Sequence, residues 1–308
     1  MPMRTDLFTP EAVPAEVAAF NAAMAERLGN LPSVWDIGLE QARSGGFMPK
    51  PPPSPRAYDV AIGDNVSLHV VPSPRPRGVL LHIHGGGFML GSAAGQDNML
   101  ERIADAVGVT CASVEYRLAP ENPYPAAWDD CEAAALWLLE HAGDRFGAEP
   151  LLIAGESAGA LLAVATLQRL RERRLLARFR GAALSFGVYD SLMTPSQALA
   201  RTGVLKAKDI ARIVEAYAPQ ADQRRDPELS PLYSYLKGLP PALFTVGTLD
   251  AMLDDSLFMY CRWLAAGNKA DVALYPGADH GFIETPHPSA REANSRIDVF
   301  LSQCLENA

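Results

Sequence analysis

Residues 151–162 read Leu-Leu-Ile-Ala-Gly-Glu-Ser-Ala-Gly-Ala-Leu-Leu. A short buried-strand run, Leu151 to Ala154, meets a Gly-x-Ser-x-Gly turn, and a long apolar helical stretch, Ala158–Leu176, follows. By chance alone such a pentapeptide arises in roughly one chain in ten of this length. The strand–turn–helix setting is what gives it meaning. A nucleophile elbow needs flanking small residues so that the chain can reverse sharply and lift the serine, here Ser157, above the sheet. The helix that begins there also aims free N–H groups and its positive dipole end at the same spot. The competing reading is a glycine-rich turn with Ser157 as an N-cap.

Working outward, the same alternation recurs. Apolar, β-branched runs stand at Val66–Val71, Val79–Ile83, Val109–Val114, Ala182–Phe186, Ala242–Val246 and Val272–Tyr275. Helical patterns lie between or after them at Asn98–Val107, Ala126–His141, Asp254–Ala266 and Ser289–Glu306. Strands alternating with helices imply βαβ units, hence an α/β fold with a mainly parallel sheet covered on both faces. Between Phe186 and Ala242 the rhythm breaks. A helical pattern near Lys206–Tyr217 and polar turns near Ala221–Pro231 read as an insertion, at about 188–235, over one end of the sheet.

A second boundary lies near the start. Met48–Pro55, MPKPPPSP, cannot be helix interior and favours a stiff extended connector. It divides residues 1–47 from a catalytic unit of residues 48–308. Within 1–47, Val13, Val17, Phe20, Met24 and Leu28 recur at helical spacing and Gly29 ends the pattern. A second short helix starts near Ser33, with Val34, Trp35, Ile37 and Leu39 adding apolar groups. So short an amphipathic segment is marginal by itself and must bury its stripe, and the strand ends are the expected target.

Composition removes other classes of function. The chain has 308 residues, 27 Lys+Arg against 36 Asp+Glu, and a net charge of −9. That balance disfavours nucleic acid, which needs a basic face. No apolar run approaches the ~20 residues of a membrane span, and no signal peptide is read at the N-terminus. Cys111, Cys131, Cys261 and Cys304 show no CxxC spacing, which fits a reducing, cytoplasmic setting without a disulfide framework or a zinc site. The oligomeric state stays open, a homodimer included.

Two further segments bear on chemistry. His84-Gly85-Gly86-Gly87-Phe88 follows the strand Val79–Ile83, and three glycines leave backbone N–H groups unshielded, as a developing oxyanion needs. By itself this is equally well a flexible loop. A serine nucleophile also needs a base. Of six histidines, His280, in Asp279-His280-Gly281-Phe282, lies in a loop after a strand, where sites form in open α/β sheets. An ordinary surface histidine is the competing reading. For the orienting carboxylate, Asp250 follows the strand Ala242–Val246 directly, whereas Asp279 is too close in sequence to bend back onto the imidazole, and Asp254 and Asp255 read as first-turn helix residues. The order Ser157, Asp250, His280 is that of α/β-hydrolases.

Taken together, these segments resemble the hormone-sensitive-lipase-like family of α/β-hydrolases. HGGGF at 84–88 is similar to that family's oxyanion loop, EYRLAPE at 115–121 to its D-Y-R-L-A-P-E, and YPAA at 124–127 to the F-P-A-A that follows. GESAG at 155–159 is similar to G-D-S-A-G, DAMLDD at 250–255 to D-P-L-R-D-E, and HGF at 280–282 to H-G-F. The resemblance covers nearly the whole chain. It implies Ser157 as nucleophile, His280 as base and Asp250 as orienter. An oxyanion hole from the N–H groups of Gly85, Gly86 and Ala158 is implied too, with a helical cap from the N-terminal segment and the insertion. Glu156 and Glu115 replace aspartates, and Ala251 and Leu253 replace Pro and Arg. The implied activity is a serine carboxylesterase acting on a small acyl ester of short to medium chain, with no metal and no organic cofactor. A deacetylase or amidase with the same triad is an alternative. A ligand receptor on this fold is another, although such receptors lack the histidine that His280 supplies.

Overall fold

The structure is a computed structural model that describes residues 5–29, 34–46, 52–201 and 203–306. Ser33 and residues 48–51 of the proline-rich connector lie outside the described residues. Among the described residues, eight strands form one sheet: β1 (Tyr58–Ala61), β2 (Ser67–Val71), β3 (Gly78–Ile83), β4 (Val109–Glu115), β5 (Leu151–Glu156), β6 (Phe179–Ser185), β7 (Ala242–Gly247) and β8 (Ala270–Tyr275). Their spatial order is 1-2-4-3-5-6-7-8. β1–β2 and β2–β4 pair antiparallel, and every other pair is parallel.

The helices are α1 (Ala15–Gly29), α2 (Val34–Ile37), α3 (Leu39–Gln41), α4 (Asp97–Val107), α5 (Ala126–Phe146), α6 (Ala158–Glu172), α7 (Pro195–Leu199), α8 (Ala207–Tyr217), α9 (Leu253–Ala265) and α10 (Ala290–Glu306). Strands β3, β5 and β7 are buried at every residue, which is why they read as continuous apolar runs rather than alternating ones. Helices α4 and α10 pack together, as do α5 and α6, and the two pairs cover the two faces of the sheet. Helix α6 is buried from Ala158 through Gln168, unlike a surface helix with a single apolar stripe.

Some boundaries differ from the sequence reading. Strand β1 gave no signal because only Val60 of its four residues is buried, so its edge position leaves no alternation to detect. Helix α5 continues to Phe146 and is ended by Gly147 at φ 72°. Helix α6 stops at Glu172, before Leu176, because Arg174 turns to φ 62°. Val13 precedes α1 rather than opening it, and Val17 is fully buried while Val13, Phe20 and Met24 are half-buried.

Strand order reverses at β3: the β3–α4–β4 crossover runs one way and β4–α5–β5 returns to the other side. β3 and β5 are therefore parallel neighbours with Ile83 beside Gly155. The loops leaving their C-terminal ends, His84–Phe88 and Gly155–Gly159, face each other across this switch point, where ligands bind in open α/β sheets. The insertion between β6 and β7 carries α7 and α8. Segments remote in sequence meet it there. Trp35 Nε1 donates to Asp209 Oδ1 at 3.1 Å, and the Arg212 guanidinium lies 5.4 Å from the Trp35 ring. Helix α1 is fixed at the C-terminal end of β8, where Asn21 Nδ2 donates to Gly277 O at 2.7 Å.

Candidate active site

Ser157 stands between β5 and α6 at φ 54°, ψ −117°, a backbone state that L residues with a side chain rarely adopt. Its N–H donates to Ser185 O of β6 at 2.9 Å, so the strained residue is tied into the sheet. The flanking glycines are steric requirements. A Cβ at Gly155 would lie 2.3 Å from Gly159 O, and one at Gly159 would lie 1.9 Å from Ile83 O. Both obstacles are backbone, so neither can move aside as a flexible side chain would.

Gly85 sits against this turn: a Cβ there would meet Glu156 O at 2.9 Å and Ser157 Cβ at 3.4 Å. The chain then reverses at Gly86, φ 112°, and Leu90 N–H closes the turn on Gly86 O at 2.9 Å. Among the described residues no acceptor takes the N–H groups of Gly85, Gly86 or Ala158; Gly85 and Ala158 adjoin Ser157, and Gly86 lines the same cleft. His84 shapes the loop without facing the cleft. Its Nδ1 donates to Gly85 O at 2.7 Å, and its ring stacks on Tyr116 at 4.2 Å. Burial pushes the His84 pKa down to about 4, so the ring is neutral.

The sequence-predicted trio is brought together. His280 Nε2 lies 2.9 Å from Ser157 Oγ. His280 Nδ1 lies 2.9 Å from Asp250 Oδ1 and 3.1 Å from Asp250 Oδ2. Asp250 is buried, and its Oδ1 also accepts Met252 N–H at 2.8 Å. Phe186 covers the imidazole edge-on at 4.9 Å. Burial by itself lowers the His280 pKa, but the adjacent Asp250 charge and hydrogen bond, with Asp279 and Glu284 farther off, outweigh it and leave the pKa above the ordinary value.

Asp254 and Asp255 are in the first turn of α9, as expected there, but their carboxylates grip the insertion. Asp255, fully buried, accepts from Tyr189 N, Asp190 N, Thr194 Oγ1 and Gln197 Nε2, and Asp254 accepts from Ser196 N. Other polar groups near the site had no sequence signal. His82 bridges Ser113 Oγ at 2.8 Å and Glu156 Oε2 at 2.9 Å beneath the elbow. Arg43, from the N-terminal segment, donates to Met89 O and Ala119 O and pairs with Glu121. Such contacts join residues 31 or more apart in sequence, beyond the reach of local patterns.

Above Ser157 opens a cleft of about 1030 Å³. Phe88, Phe186, Val188, Leu205, Ile213 and Met252 give it a mainly apolar lining, and Met24, Trp35 and Arg43 close one side.

This fold and site fit a serine-dependent hydrolase, and the sequence comparison gives the family. The chain belongs to the alpha/beta hydrolase fold family, whose profile matches residues 80–284. Over 246 residues it is 32% identical to an acetyl-hydrolase of Streptomyces hygroscopicus, covering 78% of this chain and 79% of that one. It is 35% identical over 217 residues to a carboxylic ester hydrolase of Mycobacterium tuberculosis, covering 67% of this chain and 57% of that one. Among solved structures, a hormone-sensitive lipase from a metagenome library superposes with a TM-score of 0.84 at 27% identity, covering 95% of this chain and 99% of that one.

Gly159→Ala tests the steric account of the elbow. With Ile83 O in the way, β3 and α6 must separate, and the expected result is loss of a cooperative thermal transition or a fall in Tm of several degrees. The measurement is thermal unfolding followed by circular dichroism, and an unchanged Tm contradicts the account.

Proposed function

We propose that the chain is a serine carboxylesterase for short- to medium-chain acyl esters, with Ser157 as nucleophile, His280 as base and Asp250 as orienter. That it is a carboxylic ester hydrolase of the hormone-sensitive-lipase-like kind follows from its relatives. The observation that carries the residue roles is the unbroken hydrogen-bonded line Ser157 Oγ–His280–Asp250. In the first half-reaction Ser157 Oγ attacks the ester carbonyl carbon and His280 Nε2 takes the hydroxyl proton. The carbonyl oxygen becomes an oxyanion that accepts from the N–H groups of Gly85, Gly86 and Ala158. The C–O bond to the alcohol then breaks, and the alcohol leaves with the proton from His280. Water, deprotonated by His280, next attacks the acyl-enzyme, and the acid departs as Ser157 regains its proton. Asp250 holds the imidazole in the tautomer with Nδ1–H and offsets its transient positive charge.

Residues 1–47 and the insertion at about 188–235 act as a cap in this reading. Support comes from Met24, Trp35 and Arg43 on one side of the cleft and Leu205 and Ile213 on another. A covered apolar cleft excludes water and limits acyl length. All four cysteines are free thiols, which supports a reducing, cytoplasmic setting. Among the described residues no helix is long and apolar enough to cross a membrane.

Ser157→Ala, His280→Ala and Asp250→Asn are each expected to lower kcat roughly 10³- to 10⁶-fold without loss of fold, and the losses should not add in combination. A serine-reactive phosphonate should label a single site that peptide mapping assigns to Ser157. Near-normal turnover by folded Ser157→Ala would sink the assignment.

The pH profile follows from the raised His280 pKa. Only the neutral imidazole accepts a proton, so kcat/KM should fall as pH drops through that pKa and level off on the alkaline side. The midpoint is expected above the ~6.5 of an unperturbed histidine. A midpoint below 6 measured on a neutral ester contradicts the electrostatics described.

The cap assignment is tested with Trp35→Ala, which removes the contacts to Asp209 and Arg212 and opens one side of the cleft. Comparing kcat/KM from acetyl to dodecanoyl esters, the optimum is expected to shift toward longer chains. An unchanged profile removes the N-terminal segment from the substrate pocket.

A further inference from the structure

Asp279 directly precedes His280, yet its carboxylate does not turn back to the imidazole. Its Oδ1 accepts the backbone N–H of His280 at 2.7 Å, and its Oδ2 accepts the backbone N–H of Val204 at 3.0 Å. One carboxylate thus joins the backbone of the proposed base to the segment that leads into α8. The approach on that side is close enough that a side chain at Gly203 has to push the Asp279 carboxylate aside. A Cβ at Gly203 would lie 2.5 Å from Asp279 Oδ2, and Gly203 stands at φ 88°. Gly203, Val204 and Leu205 are themselves part of the cleft wall. Asp279 is partly shielded from water. Burial pushes its carboxyl pKa up, while the hydrogen bonds from His280 and Val204 act in the opposite direction.

We propose that Asp279 is a positioning residue that couples the Val204–Leu205 wall to the placement of His280. An acyl ester that presses on this wall pulls on the same carboxylate that sets the His280 backbone. The fit of the substrate is therefore read in kcat as well as in KM. This rests on the reading of His280 as the base. The geometry supports the coupling because, among the described residues, each carboxylate oxygen has one partner, so movement of either N–H changes the position available to the other.

The test compares kcat and KM for acetyl to octanoyl esters in the full-length enzyme and in Asp279→Asn, Asp279→Ala, Gly203→Ala and the Asp279→Ala/Gly203→Ala double variant. Gly203 lies outside the His280 loop, so a purely local wall effect would move KM alone. The coupling predicts that Gly203→Ala lowers kcat roughly 3- to 30-fold, with a loss that varies with acyl length. Asp279→Ala should lose at least as much. The double variant should be no worse than the poorer single one. Asp279→Asn, which keeps an oxygen acceptor, should recover part of the loss. If Gly203→Ala does not fold, Val204→Pro removes the N–H donor instead and should give the same pattern. A wild-type kcat at every acyl length in the wall variant, or additive losses in the double variant, overturns the inference while leaving the triad intact. Turnover surviving in His280→Ala overturns the triad reading and this inference with it.

Discussion

Helix α6 lies against β3 and β5 with so little clearance that the backbone of Gly159 faces Ile83 O where any side chain would collide. This close approach sets the rest of the site. It forces the chain to reverse within one residue, which puts Ser157 at φ 54°, a conformation that costs of order 1–3 kcal/mol and persists only because the surroundings enforce it. It also brings the start of α6, with its unspent Ala158 N–H, beside Gly85 at the end of β3. The parallel pairing of β3 with β5 supplies the opposing surface, and the reversal of strand order leaves open space above it. Strain at one residue, free N–H groups and a concave site thus share one cause.

The histidines show how surroundings decide what one residue type does. His280 is buried beside the Asp250 carboxylate, which outweighs burial and raises its pKa. His84, a short distance away, is buried without a charged partner and is driven to about 4, so it serves as a neutral shaping group under the glycine loop. His287 is likewise lowered by burial, between Phe20 of α1 and Phe282. His82 lies beneath the elbow, joined to Ser113 and Glu156. The extra methylene of Glu156, relative to aspartate, belongs to this buried arrangement and does not point the carboxylate at the Ser157 hydroxyl.

The cleft walls come from segments far apart in sequence, and polar anchors hold them more specifically than their apolar faces do. Asp255 collects four donors from residues 189–197 and so fixes the exit of β6 over the site. Arg43 spans from the N-terminal segment to the carbonyls of Met89 and Ala119, next to the glycine loop. Trp35 joins that segment to α8 through Asp209 and Arg212. Apolar burial is nondirectional and holds these parts together, while the anchors set where each wall stands.

The α/β class, seven of the eight strands and the longer helices were legible in residue pattern, because a strand buried on both faces is a short apolar run and a packed helix repeats every 3.6 residues. Ser157 was legible because its turn is chemically constrained: the glycines on either side are demanded by contacts that no other residue satisfies. Asp250 and His280 were legible only as residues after strand ends, with Asp250 preferred because it directly follows its strand whereas Asp279 adjoins the histidine and Asp254 and Asp255 open a helix. Strand β1 was not legible, since an edge strand with one buried residue has no pattern. What tertiary structure alone decided is every relation across the sheet: the 2.9 Å line from Ser157 to His280, the Asp279 bridge to Val204, the Glu156–His82–Ser113 arrangement and the seat of Trp35. Local sequence sets backbone preference and burial, which act over a few residues. These contacts join groups up to 174 residues apart, and strand order and helix packing alone bring them together.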